Sequence, residues 1–258
     1  YTDLPLLVML KELTLADGSK TLVPDRYVRA SDFNGKLGQD NNPEWKTVAF
    51  DPLGKVVLPN GAIGFRWGED GRWNLEDKEA CNDTTVKLKL SVIEGDGQGH
   101  DVANVAFAYF GGVATPHFPA NAQRGDVIRA KVPAVRLRLG KAGEERYAMV
   151  ATVFDLQAAQ YGIDRGFGSG AKSFDDDVPY TPAWQEAITG VKREQIITVA
   201  RQFAENAHKT HGKSMVIIGA AMNHWYHADM NYRGVINLLM MCGCIGQSGG
   251  GWAHYVGQ

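Results

Sequence analysis

The sequence predicts an α/β fold carrying a β-rich insertion, and two changes of texture along its 258 residues carry that prediction. Between about residues 41 and 152 the chain consists of short runs rich in β-branched and aromatic residues, separated by turn signals. From about 153 to 258 it changes to a succession of helix, helix, strand and helix.

The opening segment, residues 1–40, contains the apolar stretch LPLLVML. Leu6 to Glu12 reads as a short helix, because it is made of good helix formers and follows Pro5 in a first-turn position. A turn at Asp17-Gly18 then leads to a run containing Tyr27-Val28-Arg29.

In the second segment TVAF, KVVL, AIGFRW, TVKLKLSVI, NVAFAYF, AVRLRL and YAMVATVF read as strands, with hairpin turns at Pro59-Asn60-Gly61 and Gly68-Glu69-Asp70-Gly71. In AVRLRL, Val135, Leu137 and Leu139 share one face while Arg136 and Arg138 take the other, the pattern of a half-buried strand. An insertion of this kind shapes a surface and needs no chemistry of its own.

In the third segment Thr181 caps a helix, Pro182 takes its first position and Gly190 ends it. A second helix runs from about Lys192 to Ala207, with Ile196, Ala200, Phe203, Ala204 and Ala207 on one face. Ser214 to Ile218 is a buried strand stopped by Gly219. Asp229 or Asn231 caps a helix through Cys242, closed by Gly243. That helix is apolar on nearly every side and is expected to be buried all round.

A net charge of -2 with no basic-aromatic cluster argues against a dedicated nucleic-acid surface. The longest apolar run, Val235 to Ile245, is too short to span a bilayer core of about 30 Å. Three cysteines, Cys81, Cys242 and Cys244, form no disulfide framework and suit a reducing compartment. Both ends read as cut from something longer.

The stretch SMVIIGAAMNHWYHADMNYRGVINLLMMCGCIGQSGGGW is the chemically informative one. A strand leading through a polar-aromatic loop to a helix exposes backbone N–H groups that suit a phosphate or pyrophosphate, and Gly219 has no Cβ to block close approach. A strand-glycine-helix unit without a ligand is the plainer alternative. His224 and His227 lie three apart but lack a third ligand at metal spacing. Cys242 and Cys244 read as buried small residues, Asp175-Asp176-Asp177 as a solvated loop, and Trp184 and Phe203 as core aromatics.

Thr181 to Trp252 resembles the molybdopterin oxidoreductase family, with its TPAW opening, ITGV turn, IITVARQFA helix, strand ending at Gly219 and CGCIGQSGGG run. Within that family NHWYHADMNYRG and GCIGQSGGGWAHYVGQ resemble the catalytic alpha subunits of respiratory nitrate reductases. YTDLPLLVML, LGQDNNPEWKTVAF, PNGAIGFRWGEDGRWNLE and FAYFGG are similar to the same group. Glu79 to Gly99 and Asp164 to Asp177 match less well.

The resemblance implies an internal fragment of such a subunit. Residues 1–40 would belong to its catalytic domain, 41–152 to the β-rich insertion and 153–258 to an α/β cofactor-binding subdomain. It implies molybdenum-bis(molybdopterin guanine dinucleotide), contacted here by Gly219, Met222, Asn223, His224 and Trp225, with Gly249 and Gly250, in the run to Gly251, letting backbone pass close to it or to a neighbouring subdomain. Asn223 would offer donor and acceptor to a pterin or guanine edge, and His224 a hydrogen bond. No catalytic or metal-ligating residue is assigned to this chain. The molybdenum ligand and the [4Fe-4S] cysteines would lie outside it, so the fragment alone is expected to be inactive.

The implied reaction is nitrate reduction to nitrite in anaerobic respiration, with quinol as donor. An iron–sulfur beta subunit and a haem-bearing membrane gamma subunit would be partners, at the cytoplasmic face of the cell membrane. Two rivals stay open: a related molybdenum enzyme acting on nitrite, selenate, chlorate or a hydrocarbon, and a non-catalytic nucleotide-binding or interaction module.

Overall fold

A computed structural model describes residues 3–14, 18–33, 37, 43–59, 88–94, 99–108, 127–140 and 143–255. It divides into two units at Thr181/Pro182. The architecture is mixed α/β.

The first unit is built on a closed barrel of five strands: β1 (Leu7–Thr14), β2 (Lys20–Tyr27), β5 (Asp101–Ala108), β6 (Val127–Leu139) and β7 (Arg146–Thr152). Two short strands, β3 (Ala49–Phe50) and β4 (Val56–Val57), form a separate pair. In the barrel β2 and β5 run parallel and every other pairing is antiparallel. The long β6 serves two partners: residues up to Ala134 pair with β5, and Val135 onward pair with β7. Pro133, which has no ladder N–H to give, stands one residue before that exchange. The alternation expected in AVRLRL holds: Val135 and Leu139 are buried, Leu137 packs against the same core, and Arg136 and Arg138 are exposed.

Leu6 to Glu12 corrects the sequence expectation, because it is not a helix but the body of β1. Leu7 and Met9 enter one core cluster while Val8 and Leu10 enter another. A strand buried on both faces shows no polar alternation, and its leucines and methionine then mimic a helix. Two further differences arise around Asp155. YAMVATVF stops being a strand at Thr152, and α1 (Val153–Gln160) begins there, its first turn capped by Thr152 Oγ1 accepting from the Asp155 amide. The described end of TVKLKLSVI is a turn, with Glu94 N donating to Ser91 O at 3.1 Å, because the Asp155 carboxylate draws in the Val92 amide. AIGFRW, Cys81, Asp17 of the first turn and the turns at Asn60-Gly61 and Gly68 to Gly71 lie outside the described residues.

A second carboxylate ties together another part of this unit. Asp32 is buried and accepts from Arg26 Nη1 and Nη2 at 2.7 and 2.5 Å, from the Arg29 amide at 2.9 Å and from Arg146 Nη2 at 3.2 Å. Burial pushes its carboxyl up, but the Arg26 hydrogen bonds, the Arg29 amide and the charges of Arg26 and Arg146 outweigh burial and hold it below the ordinary value. A carboxyl lowered by folding stabilises above its unfolded pKa, about 3.9, and that stability is lost as pH falls through the folded value. Acid melts should therefore show a loss below about pH 4 that Asp32→Asn makes shallower; equal acid sensitivity in the variant would remove Asp32 from the account.

The second unit carries α2 (Pro182–Thr189), α3 (Arg193–Lys209), β8 (Met215–Ile218), α4 (Ala220–Asn223), α5 (Ala228–Met241) and β9 (Gly251–His254). α2 starts at Pro182, and Gly190 follows it at φ +74°, its amide on Glu186 O at 2.9 Å. Arg193 and Lys192 hydrogen-bond the Glu186 carboxylate and hold it down to about 2. The core is small: Ala207, Leu239 and Cys244, with Phe203, Val216, Val235, Cys242 and Trp252 around them. α5 begins at Ala228 with His227 in the left-handed region as its cap, earlier than Asp229 or Asn231 would have it. It is also not buried all round. Only one side of α5 has α3, β8 and β9 to pack on, and Met230, Ile236 and Leu238 stay exposed within this unit.

Candidate functional site

β8 and β9 are parallel and in register, so Ile218 and His254 end side by side. The Tyr255 amide continues the ladder by donating to Ile218 O at 2.8 Å. In open α/β sheets ligands bind beyond the carboxyl ends of such strands, where the chain departs into its connections. β9 begins at the third of three consecutive glycines and shows no periodicity of its own, which is why the sequence leaves it as part of a turn.

The chain leaving β8 passes through Gly219 in an extended conformation and makes the single turn α4. A Cβ on Gly219 would meet nothing within 4 Å, so its backbone is open to approach on that side. Met222 is half-buried, its amide donating to Gly219 O at 3.1 Å. His224 closes the turn through its amide on Ala220 O at 3.2 Å, leaving the imidazole exposed. Trp225 and Tyr226 follow with 71% and 82% of their surface exposed, a large apolar area for two consecutive residues.

Asn223 is the polar centre of the loop. Its Nδ2 lies 3.2 Å from His254 Nε2, and Tyr232 Oη on α5 lies 3.4 Å from the same ring nitrogen. With Nδ2 on this side the amide donates to His254 Nε2, which accepts in the tautomer that carries its proton on Nδ1. Asn223 Oδ1, by contrast, is buried and accepts no hydrogen bond from the described residues. Buried carbonyls are nearly always paired, and an unpaired one costs about 1–3 kcal/mol. The Tyr232, Trp252 and His254 rings meet edge to face at 5.0–5.9 Å and wall this corner.

The expected residues are thus divided by the structure. Gly219, Met222, Asn223, His224 and Trp225 lie together on one loop at the strand ends. The two later glycines answer to the turn itself. Gly249 has φ +85°, a conformation that favours glycine, and a Cβ on Gly250 would run into the Gly212 carbonyl. Cys244 is buried in the small core, and burial, then the neighbouring Cys244 thiol, push the Cys242 thiol up. Among the described residues no group of three or more His, Cys, Asp or Glu is placed to hold a metal ion. His254 and Tyr232 escape sequence reasoning, since their meeting with Asn223 depends on the pairing of β9 with β8.

Comparison with known proteins adds an independent line. The sequence profile described as molybdopterin oxidoreductase matches residues 7–256. The chain is 54% identical, over its whole length, to the respiratory nitrate reductase 1 alpha chain of Escherichia coli (strain K12), covering 20% of that protein. It is 38% identical to the nitrate reductase alpha chain of Bacillus subtilis (strain 168), again over its whole length and covering 19% of it. A perchlorate reductase alpha subunit from Dechloromonas aromatica (strain RCB) is 38% identical over 30% of this chain. The chain therefore spans about a fifth of the length of the curated relatives it matches from end to end.

Proposed function

The chain belongs to the molybdopterin oxidoreductase family, and on that premise we propose that it is a portion of the catalytic alpha subunit of a respiratory nitrate reductase, where its α/β unit binds the pterin nucleotide cofactor. The observation that carries the reading is the buried Asn223 carbonyl, without a partner among the described residues, beyond the carboxyl ends of two parallel strands. A pterin or guanine ring presents N–H donors at its edge, which is the partner this oxygen lacks.

The residues present fit such a group. Gly219 offers backbone with free space where a Cβ would stand. Asn223 Oδ1 would accept from the ring edge, His224 would donate to it, and Trp225 with Met222 would supply apolar surface for a flat ring. Gly249 and Gly250 shape the turn that leads into β9. When bound, the group supplies two-electron oxygen-atom transfer at molybdenum, the chemistry that turns nitrate into nitrite.

The finer assignments are molybdenum-bis(molybdopterin guanine dinucleotide), a [4Fe-4S] cluster in the whole subunit, and quinol-derived electrons through an iron–sulfur beta and a haem-bearing gamma subunit. No described helix is long and apolar enough to cross a membrane. Attachment at the cytoplasmic face is assigned to the partner subunits as part of the same reading. Nitrate is preferred over the substrates of sister enzymes because the Escherichia coli and Bacillus subtilis relatives named for nitrate match the whole chain, whereas the perchlorate relative matches under a third.

The test is molybdenum and pterin analysis of the complete subunit with an assay of nitrate-dependent viologen oxidation, run beside His224→Ala. Bound cofactor and nitrate turnover are expected, with a substantial loss of turnover or loading in the variant while the fold survives. A complete subunit free of molybdenum and pterin would favour a non-catalytic nucleotide-binding module instead.

A further inference from the structure

We propose that His254 is a positioning residue for Asn223: by accepting from Asn223 Nδ2 it turns the amide so that Oδ1, and not the amide nitrogen, faces the cofactor. The proposal rests on the reading that this loop holds a pterin nucleotide. Three observations support it beyond that reading.

First, a terminal amide has two nearly isosteric orientations, one presenting an acceptor and the other a donor. Only a fixed partner on one side selects between them, and among the described residues the 3.2 Å contact to His254 Nε2 is the one Asn223 side-chain hydrogen bond. Second, His254 is itself held. Its backbone lies in register with Ile218 on the parallel pair, and the next amide, Tyr255 N, is tied to Ile218 O. Its ring meets Tyr232 at 5.8 Å and Trp252 at 5.9 Å, both edge-on. A side chain seated on a strand between two rings orients a loop residue better than another loop residue does. Third, Tyr232 Oη lies 3.4 Å from the same nitrogen, and a hydroxyl turned to donate there supports the tautomer with Nε2 unprotonated. In that tautomer His254 accepts, and the Asn223 carbonyl is left to face the ligand.

The experiment uses the complete holoenzyme and reads the rate at which the pterin dinucleotide leaves the folded protein, measured as pterin and GMP after acid hydrolysis of the released fraction, which does not depend on turnover. Four single variants are compared with wild type: Asn223→Ala, His254→Leu, His254→Gln and Tyr232→Phe. The double variant Asn223→Ala with His254→Leu completes a cycle. His254→Leu removes the acceptor and keeps apolar bulk, and release is expected to quicken roughly tenfold, the scale of one lost hydrogen bond. His254→Gln restores an acceptor at similar reach and should return release to within about threefold of wild type. Tyr232→Phe should have a smaller effect in the same direction. In the Asn223→Ala background His254→Leu should change nothing further, because the residue it acts through is gone.

An effect of His254→Leu that persists in full without the Asn223 amide would overturn the proposal, as would a His254→Gln variant no better than His254→Leu. If His254→Leu fails to fold, His254→Gln against wild type and against Asn223→Ala decides the matter alone, and release as fast as in Asn223→Ala counts against the proposal. Asn223→Ala releasing cofactor at the wild-type rate would sink the loop assignment as well. Fast release from Asn223→Ala with normal release from His254→Leu would sink only the positioning role.

Discussion

Asp155→Ala destabilises the barrel unit by about 3–5 kcal/mol, the range seen when one partner of a buried ion pair is deleted. Asp155 is fully buried at the start of α1 and its two oxygens are saturated. Oδ1 accepts from Ser91 Oγ at 2.5 Å and Arg165 Nη1 at 2.6 Å, and Oδ2 from Val92 N at 2.9 Å and Thr152 Oγ1 at 2.8 Å. Arg165 closes the set through Nη2 on Ser91 Oγ at 2.8 Å, with its guanidinium over the rings of Phe154 and Phe167. Alanine leaves the Val92 amide without its acceptor and a guanidinium, only 17% exposed, without its counter-charge. Asp155→Asn keeps the shape yet turns an N–H toward one of the donors, so it should lose most of the same stability. Removing both charges together, Asp155→Leu with Arg165→Met, should cost less than Asp155→Ala alone. Chemical unfolding and hydrogen exchange at the Val92 and Asp155 amides check this. A cost under about 1 kcal/mol for Asp155→Ala would mean that the carboxylate is not holding a charged partner out of water.

The second large effect is confined to one of the two states of the protein. In the cofactor-free subunit Asn223→Leu removes a buried carbonyl with no partner among the described residues, a gain that offsets the lost hydrogen bond to His254, so stability should change by no more than about 1 kcal/mol. In the loaded enzyme the same change deletes the acceptor that the cofactor's N–H groups need. Loss of one buried hydrogen bond, with its donor left unsatisfied, is worth about 1–3 kcal/mol, so cofactor retention should fall roughly tenfold or more. Asn223→Asp keeps an acceptor at the same place and should fall less far. Thermal melts of the cofactor-free form together with pterin content of the loaded form separate the two effects. A melt that drops sharply with retention unchanged would make Asn223 a structural residue.

How much of this was legible in the sequence depends on where the determining contacts lie. AVRLRL could be read because its alternation is local and one of its faces is wet. β1 could not, because both of its faces are buried and only its pairing with β2 and β7 reveals a strand. α1 is signalled by Thr152 three residues before Asp155, a short capping pattern masked by the β-rich run in front of it. The cost of burying Asp155 is repaid by Ser91 and Val92, more than 60 residues away in sequence. α5 is apolar on most sides, as its sequence indicates, but the unit supplies neighbours for one side only. At the site, the loop from Gly219 to Trp225 stood out through its glycine stop, its polar-aromatic content and its family resemblance. Tyr232 and His254 did not, because a four-residue strand that begins on the last of a run of glycines carries no pattern, and its partner is known only once the chain is folded.

The most direct measurement is a structure of the complete, cofactor-loaded subunit at a resolution that fixes the Asn223 amide. The account predicts a pterin or guanine N–H donor within about 3.2 Å of Asn223 Oδ1, with Asn223 Nδ2 still on His254. Oδ1 facing a protein donor, with the nucleotide seated elsewhere, would contradict it.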